Sequence, residues 1–180
     1  MGNKRRNLFL IGPMGSGKTA VGKQLARDLD MAFHDTDAEI ERRTGVDIPF
    51  IFEKEGEAGF REREREVLAR LAALDHVVVA TGGGAVLSAD NRAVLKENGL
   101  VIYLHASVDE QLKRTSRSQN RPLLKAADPR AVLDSLMAVR RPLYEETADI
   151  SLDTTGRQVG AVADALRGLL ADRGLAPLKK

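Results

Sequence analysis

Residues 12–19 read Gly-Pro-Met-Gly-Ser-Gly-Lys-Thr and match every fixed position of the pattern G-x-x-x-x-G-K-[ST]. An apolar run at residues 8–11 precedes this segment, and a helical pattern over residues 21–29 follows it. In a strand–loop–helix unit of this kind, glycines let backbone N–H groups converge on an anion, and the helix directs its positive end at the same point. The segment therefore predicts a nucleoside triphosphate site. Lys18 would reach the β- and γ-phosphates, and the Thr19 hydroxyl would ligate Mg²⁺.

Five short apolar runs are spaced along the chain, with helix-like segments between them. They lie at residues 8–11, 31–33, 77–80, 100–104 and 150–152. Short runs without alternation are typical of strands buried on both faces of a parallel sheet. Strands that alternate with helices predict right-handed crossover connections. We therefore expect an α/β fold with three layers, α/β/α, around a five-stranded parallel sheet, in a single domain over residues 1–180.

The composition of the chain excludes several classes of function. The chain has 28 Lys+Arg against 26 Asp+Glu, a net charge of +2, so bulk charge gives no indication of a nucleic acid partner. The absence of cysteine excludes disulfides, thiol catalysis and thiolate metal sites. The apolar run at residues 8–11 is too short for a signal peptide or a membrane span. We expect a cytoplasmic protein that acts on small molecules, without a membrane partner.

Two carboxylates, Asp35 and Asp37, follow the second apolar run. Ligands of α/β sheets lie at the carboxyl ends of the strands, so both are candidates for the site. The third run ends at Ala80 without an acidic residue, which leaves Asp35 as the expected partner of Mg²⁺, through a bound water. Asp37 would accept a hydrogen bond from a substrate hydroxyl. Alternatively, Asp37 is only the N-cap of a helix at residues 38–43.

Three glycines and a helix of alternating charge provide further candidates. Residues 82–84 are glycines directly after the third run, which favours close approach of the backbone to a ligand. Arg61 follows Phe60, which would anchor that edge of the helix to the core. Arg61 then either grips a carboxylate with both ends of its guanidinium group or lies on the surface. For Arg63 and Arg65 we expect the surface.

A polar, basic stretch at residues 117–130 has little periodicity and contains two prolines. We interpret it as a mobile lid rather than a plain surface loop. Arg121 lies within it, and Arg140 and Arg141 end the next helical stretch just before Pro142. Arginines on a mobile segment can close over a nucleotide, expel water and neutralise a phosphoryl group in transfer.

Taken in order, these motifs resemble the shikimate kinase family, whose P-loop kinase fold is like that of the nucleoside monophosphate kinases. The similarity runs from Leu8 to about Arg157. The features that carry it are the phosphate loop at residues 12–19, Asp35-Thr36-Asp37, Phe60-Arg61, Glu64, the glycines at residues 82–84, Arg121-Pro-Leu-Leu and Arg140 before Pro-Leu-Tyr144.

The resemblance implies transfer of the γ-phosphoryl group of ATP to the 3-hydroxyl of shikimate, in aromatic amino acid biosynthesis. It implies ATP contacts for Met14, Gly15, Ser16, Gly17, Lys18, Thr19, Arg114 near the adenine, Arg121 and Arg157. It implies shikimate contacts for Asp37, Arg61, Gly82, Gly83, Gly84 and Arg140, and Mg²⁺ on Thr19 with Asp35 in the outer shell. Catalysis would fall to Lys18, Asp37 and Arg121. A substrate-binding segment at about residues 36–64 and a monomer are also expected.

Two alternatives stay open when the residues are considered alone. Arginines near the site indicate an acidic substrate, but they do not separate a carboxylate from a phosphate. A kinase for gluconate or for a nucleoside monophosphate would therefore carry similar charges. A nucleotide-dependent switch, from another class, would hold or hydrolyse its nucleotide without any acceptor.

Overall fold

A computed structural model of the chain describes residues 7–116 and 125–175. Its strands are β1 Asn7–Ile11, β2 Ala32–Asp35, β3 Val77–Ala80, β4 Gly99–His105 and β5 Ile150–Asp153. Its α-helices are α1 Lys18–Asp28, α2 Thr36–Thr44, α3 Ile48–Ala72, α4 Ala89–Asn98, α5 Val108–Thr115, α6 Pro129–Thr147 and α7 Val159–Ala171, and a 3₁₀ turn spans Ala85–Leu87. None of these helices combines the length and apolar character needed to cross a bilayer.

The five strands form one parallel sheet in the order β2-β3-β1-β4-β5. Along β1, Leu8 and Leu10 pack in a cluster with residues of α1 and α7. Phe9 and Ile11 point to the opposite face and pack in a second cluster with residues of α3, α4 and α6. Helices therefore cover both faces, which explains why the central strands β1, β3 and β4 are largely apolar, whereas the edge strands β2 and β5 include polar residues. The predicted three-layer α/β/α fold and the five parallel strands are confirmed.

The pairing register brings the carboxyl ends of β2, β3 and β1 to one edge of the sheet. Ala80 at the end of β3 pairs with Asp35 of β2 and with Leu10 of β1. Thr81 continues this alignment, because its N–H and its hydroxyl both donate to the Leu10 carbonyl at 3.0 Å. The phosphate loop, the two aspartates and the triple glycine therefore leave the sheet side by side.

Helix α3 is divided at Gly56, which has φ 70° and ψ −177°. The ion pair between Arg63 Nη2 and Glu55 Oε1, at 2.6 Å, links the two parts across this kink. Phe60, in the second part, is only 5% exposed, and its ring lies 4.9 Å from that of Phe52. The expectation that Phe60 anchors the helix edge to the core is confirmed.

Helix α6 continues through Pro142, so the predicted helix end before this proline is wrong. A proline inside a helix removes one backbone hydrogen bond and destabilises it by about 3 kcal/mol. Here Pro142 lies on the exposed face, while the opposite face repeats buried residues at intervals of four and three. These buried residues are Leu133, Met137, Arg140, Tyr144 and Thr147. Burial of this stripe over about four turns outweighs the interrupted hydrogen bond.

The start of α6 also corrects the predicted lid. Pro129 and Arg130 form the first helical turn, with the Asp128 side chain accepting the Ala131 N–H at 3.1 Å. The expected irregular stretch therefore ends at Asp128 rather than at residue 130. Residues 117–124, which include Arg121, lie outside the described residues.

Candidate active site

The phosphate loop connects β1 to α1 with Gly15 and Gly17 in the left-handed region, at φ 76° and φ 92°. Gly17 is the N-cap of α1 and provides no side-chain hydrogen bond, so the first N–H groups of the helix remain for an anion. Lys18 Nζ donates to the carbonyls of Gly12 at 2.7 Å and Pro13 at 2.8 Å, and the side chain is buried. A buried cation and a helix N-terminus thus face the same loop, which suits a phosphate chain.

One side of the loop opens into a cavity of about 560 Å³. Arg114 and Arg157, both expected near ATP, line this cavity together with Ser16 and Gly17 of the loop. Apolar side chains complete the wall, with Val21 and Val162 among them. Its volume and its mixed lining suit a nucleoside attached to phosphates in the loop.

Thr19 and Asp35 meet at the start of α1. The Thr19 hydroxyl donates to Asp35 Oδ2 at 2.7 Å, while Asp35 Oδ1 accepts the N–H groups of Asp37 and Ala38 at 2.9 and 3.1 Å. Asp35 is therefore the N-cap of α2, and the alternative in which Asp37 caps a helix at residues 38–43 is wrong. The cap leaves Asp37 in the first turn, beside the end of β3.

A hydroxyl and a carboxylate oxygen are hard donors of the kind that Mg²⁺ prefers. Within residues 7–116 and 125–175, no cluster of three or more histidine and acidic residues is suited to hold a metal ion by itself. Thr19 and Asp35 thus fit an ion that keeps most of its waters and binds mainly through phosphate oxygens.

The triple glycine is the point on which the predicted acceptor residues converge. A Cβ atom added to Gly82 would lie 2.7 Å from Glu64 Oε2 and 3.0 Å from Asp37 Oδ1. One added to Gly83 would lie 3.5 Å from Arg140 Nη1 and from the Met14 N atom of the phosphate loop. One added to Gly84 would overlap the Arg61 guanidinium group. At Gly82 and Gly84 only glycine leaves room for the charged side chains, and those around the segment come from three helices, α2, α3 and α6.

Two hydrogen bonds fix the triple glycine. The Gly82 N–H donates to the Thr36 hydroxyl at 2.9 Å, which ties the segment to α2. The Tyr144 hydroxyl donates to the Gly83 carbonyl, which ties it to α6. Tyr144 is fully buried, and burial raises the pKa of its hydroxyl, so it remains a donor at physiological pH.

Several of the charged groups around the glycines are buried. Arg61 Nη1 lies 2.9 Å from Glu64 Oε1, and its Nη2 lies 3.2 Å from Glu57 Oε1. Glu64 is 1% exposed, and this burial raises the pKa of its carboxyl, against the opposing effect of Arg61 and then Arg140. Arg140 is 4% exposed. Two guanidinium groups therefore lie near one fully buried carboxyl group, and guanidinium N–H groups are suited to bind a carboxylate or phosphate.

Unsatisfied polar atoms mark the same place. Arg61 Nε and Glu64 Oε2 are buried and have no hydrogen-bond partner among the residues that the structure describes. Buried polar groups in proteins are nearly always paired with protein, water or ligand. These two atoms border the triple glycine, and we expect a ligand or its bound water to pair with them.

Sequence reasoning located most of this site but missed some of its supports. Asp37, Arg61, Arg140 and Met14 do meet at the glycines, while Arg63 and Arg65 pair with glutamates on exposed parts of α3. No role was assigned in advance to the Thr36 hydroxyl, to the Tyr144 hydroxyl or to Glu64. The helical spacing of Arg61 and Glu64, three residues apart, was the available signal for their ion pair.

A phosphate loop that opens onto a pocket of buried charge, on a parallel sheet of this order, defines a P-loop kinase of small molecules. The sequence profile described as shikimate kinase matches residues 14–170. The shikimate kinase of Pseudomonas syringae pv. tomato is 52% identical over 167 residues, which are 93% of this chain and 97% of the relative. That of Methylococcus capsulatus is 60% identical over 150 residues, 83% of this chain and 84% of the relative.

Among solved structures, the shikimate kinase from Acinetobacter baumannii in complex with shikimate superimposes with a TM-score of 0.92 at 47% identity, over 94% of both chains. The chain belongs to the shikimate kinase family. The family and the P-loop kinase fold indicated by the sequence are thus confirmed.

Proposed function

We propose that this chain transfers the γ-phosphoryl group of ATP to the 3-hydroxyl of shikimate, giving shikimate 3-phosphate and ADP. The observation that carries the proposal is the convergence of Asp37, Arg61 and Arg140 on the triple glycine, directly beside Met14 of the phosphate loop. A carboxylate for hydroxyl groups and two arginines for a carboxylate group match the chemistry of shikimate.

On the acceptor side, Arg61 and Arg140 would bind the shikimate carboxylate. Asp37 would accept hydrogen bonds from the ring hydroxyls, and the backbone of Gly82, Gly83 and Gly84 would line the ring. Support comes from the two arginines that meet at the triple glycine and from the relative of Acinetobacter baumannii, which was solved with shikimate. The substrate-binding segment proposed for residues 36–64 would contribute Asp37 of α2, and Arg61 and Glu64 of the second part of α3, to this wall.

On the donor side, the loop from Met14 to Thr19 would hold the phosphates, and the cavity lined by Arg114 and Arg157 would hold the nucleoside. Mg²⁺ would bind the Thr19 hydroxyl, with Asp35 in its outer shell, and would neutralise charge on the β- and γ-phosphates. Arg121, on the lid that we propose for residues 117–128, would close over the same phosphates.

In the reaction, the 3-hydroxyl oxygen of shikimate forms a bond to the γ-phosphorus while the bond to the β,γ-bridging oxygen breaks in line with it. Such a transition state needs mainly alignment and neutralisation of charge. Lys18 supplies a buried positive charge at the phosphate loop. Asp37 orients the hydroxyl and takes its proton as the new bond forms.

A panel of acceptors with ATP and Mg²⁺, followed by ADP release, tests the proposal. We expect ADP with shikimate and none with gluconate or nucleoside monophosphates. Release of ADP without any acceptor would indicate a nucleotide-dependent switch instead. A cytoplasmic location and a monomeric state stay predictions, and size-exclusion chromatography checks the latter.

Arg61→Lys should raise the KM for shikimate by about tenfold, which corresponds to one charge-assisted hydrogen bond. Lysine keeps the positive charge but cannot form two parallel hydrogen bonds with a carboxylate. Steady-state kinetics with varied shikimate measures the change. Arg65→Lys is the matched control, because Arg65 lies one turn further along α3 and pairs on the surface with Glu62. An Arg61→Lys variant with the KM of the wild type would contradict the contact.

Gly84→Ala should raise the KM for shikimate and also lower Tm, because displacing Arg61 weakens its ion pair with the buried Glu64. The backbone of Gly84, at φ −96° and ψ 3°, is accessible to alanine, but the new methyl group overlaps the Arg61 guanidinium and must displace it. We expect a rise of about tenfold, as for direct loss of the arginine contact. Gly168→Ala on α7 is the control, since its methyl group meets nothing within 4 Å. An unchanged KM for shikimate in a folded Gly84→Ala variant would contradict this role of the glycine.

A further inference from the structure

Helix α5 and the residue after β5 hold the outer side of the phosphate loop. Arg114 Nη1 donates to the Gly15 carbonyl and to the Thr154 hydroxyl, both at 3.0 Å, and its Nη2 donates to the Thr154 carbonyl at 2.7 Å. The Thr154 hydroxyl lies 2.9 Å from the Ser16 carbonyl, to which it donates. We propose that Thr154 and Arg114 are positioning residues, which hold the phosphate loop in its anion-binding conformation. This inference rests on the proposed function only in taking the loop as the triphosphate site.

Thr154 connects three parts of the molecule through one buried side chain. It is 2% exposed, directly after β5, and its N–H donates to the His105 carbonyl at the end of β4 at 2.8 Å. Its hydroxyl accepts from Arg114, and its one proton faces two carbonyls, that of Ser16 at 2.9 Å and, further away, that of His105 at 3.2 Å. The loop is thereby tied to the two strands on its far side, rather than only to β1 and α1, which it connects.

Holding a carbonyl also orients the N–H group on the same peptide plane. Because the peptide unit is planar and trans, the N–H of residue i+1 points opposite to the carbonyl of residue i. The bond from Thr154 to the Ser16 carbonyl therefore directs the Gly17 N–H towards the inside of the loop. The peptide between Gly15 and Ser16 is held at both ends, by Arg114 at its carbonyl and by a 3.3 Å turn bond from the Ser16 N–H to Pro13 O.

Most N–H groups of Arg114 are already used in hydrogen bonds within the protein. Its Nε donates to Glu110 Oε1 at 2.8 Å, so the bonds described account for four of the five N–H groups that a guanidinium carries. Steric contact adds to them, since a Cβ on Gly15 would lie 3.1 Å from atoms of Gln111 and Thr115 on the same helix. What remains for a nucleobase is the flat face of Arg114. The hydrogen bonds from Arg114 to Gly15 and Thr154 are therefore distinct from any contact between Arg114 and the base of the nucleotide.

A ligand without a base separates the two roles. We would measure binding of inorganic triphosphate and of ATP, each with Mg²⁺, by isothermal titration calorimetry. Thr154→Val keeps the shape but removes the hydroxyl, and it should weaken both ligands by the same factor, about tenfold. Thr154→Ser keeps the hydroxyl and should bind both ligands within about twofold of the wild type. Arg114→Lys should also weaken both ligands.

The proposal is overturned if Thr154→Val binds inorganic triphosphate as the wild type does, or if valine and serine impair binding equally. It is also overturned if Arg114→Lys loses affinity for ATP alone, since that result indicates contact with the base only. If Thr154→Val fails to fold, binding of the same two ligands to Arg114→Lys tests the proposal. The side chain of Arg114 is partly exposed, so this substitution should leave the fold intact. Failure of the wild type to phosphorylate shikimate would refute the proposed acceptor but not this comparison, which needs no acceptor.

Discussion

Asp37→Asn is expected to lower kcat for shikimate by about 100-fold or more, the usual range for loss of a positioned proton acceptor. Asparagine keeps the size of the side chain and can still accept a hydrogen bond, but it cannot take a proton. The backbone N–H of residue 37, which donates to Asp35, is unaffected, so the start of α2 should remain intact. The KM for ATP should change little, because Asp37 faces the triple glycine rather than the nucleotide cavity.

Coupled ADP assays with either substrate varied measure both parameters. Asp75→Asn, at an exposed position before β3, controls for removal of one negative charge from the protein. A variant with the turnover of the wild type would refute the role of Asp37 in proton transfer. A higher KM for shikimate with unchanged kcat would restrict Asp37 to binding of the hydroxyl.

The sheet could be predicted from sequence because strands buried on both faces are recognisable as short apolar segments. The central strands β1, β3 and β4 are short and largely apolar, and the helices between the strands show their own spacing. The order of the strands has no corresponding sequence pattern, since it depends on which strands pair across the sheet. The end of α6 was missed for a related reason. The local effect of Pro142 predicts a helix end, whereas the buried stripe that carries the helix to Thr147 is a property of tertiary packing.

The residues of the site also differ in how far they could be predicted from local sequence. The phosphate loop is contiguous, so its glycines, Lys18 and Thr19 could be identified from spacing alone. Phe60 set Arg61 apart from Arg63 and Arg65 in the sequence, but whether Arg61 lies in the site or on the surface stayed open, because its approach to Gly84 arises only from the fold. Thr154 carried no signal at all. Its partners at Ser16 and Arg114 lie 138 and 40 residues away in the chain and meet it only through the fold.

Lys18→Met should lower kcat/KM by about 1,000-fold, the upper range for loss of a single group that stabilises transition-state charge. In this structure the ammonium group donates to the carbonyls of Gly12 and Pro13, so a positive charge is already held inside the loop. Such a charge needs little reorganisation when negative charge shifts between the γ- and β-phosphates. Methionine has similar length but offers no donor, so nucleotide affinity should fall as well as turnover.

Initial rates with varied ATP, together with the rise in Tm that Mg²⁺ and ATP produce, separate the two effects. We expect that rise to shrink in Lys18→Met, because ligand stabilisation falls with affinity. Lys96→Met, at an exposed position of α4, is the matched control and should behave as the wild type. The Tm without ligand shows whether loss of the bonds to Gly12 and Pro13 has damaged the fold. A folded Lys18→Met variant that keeps more than about one third of the activity of the wild type would contradict the assignment of this lysine to the phosphates, and with it the chemistry proposed for the loop.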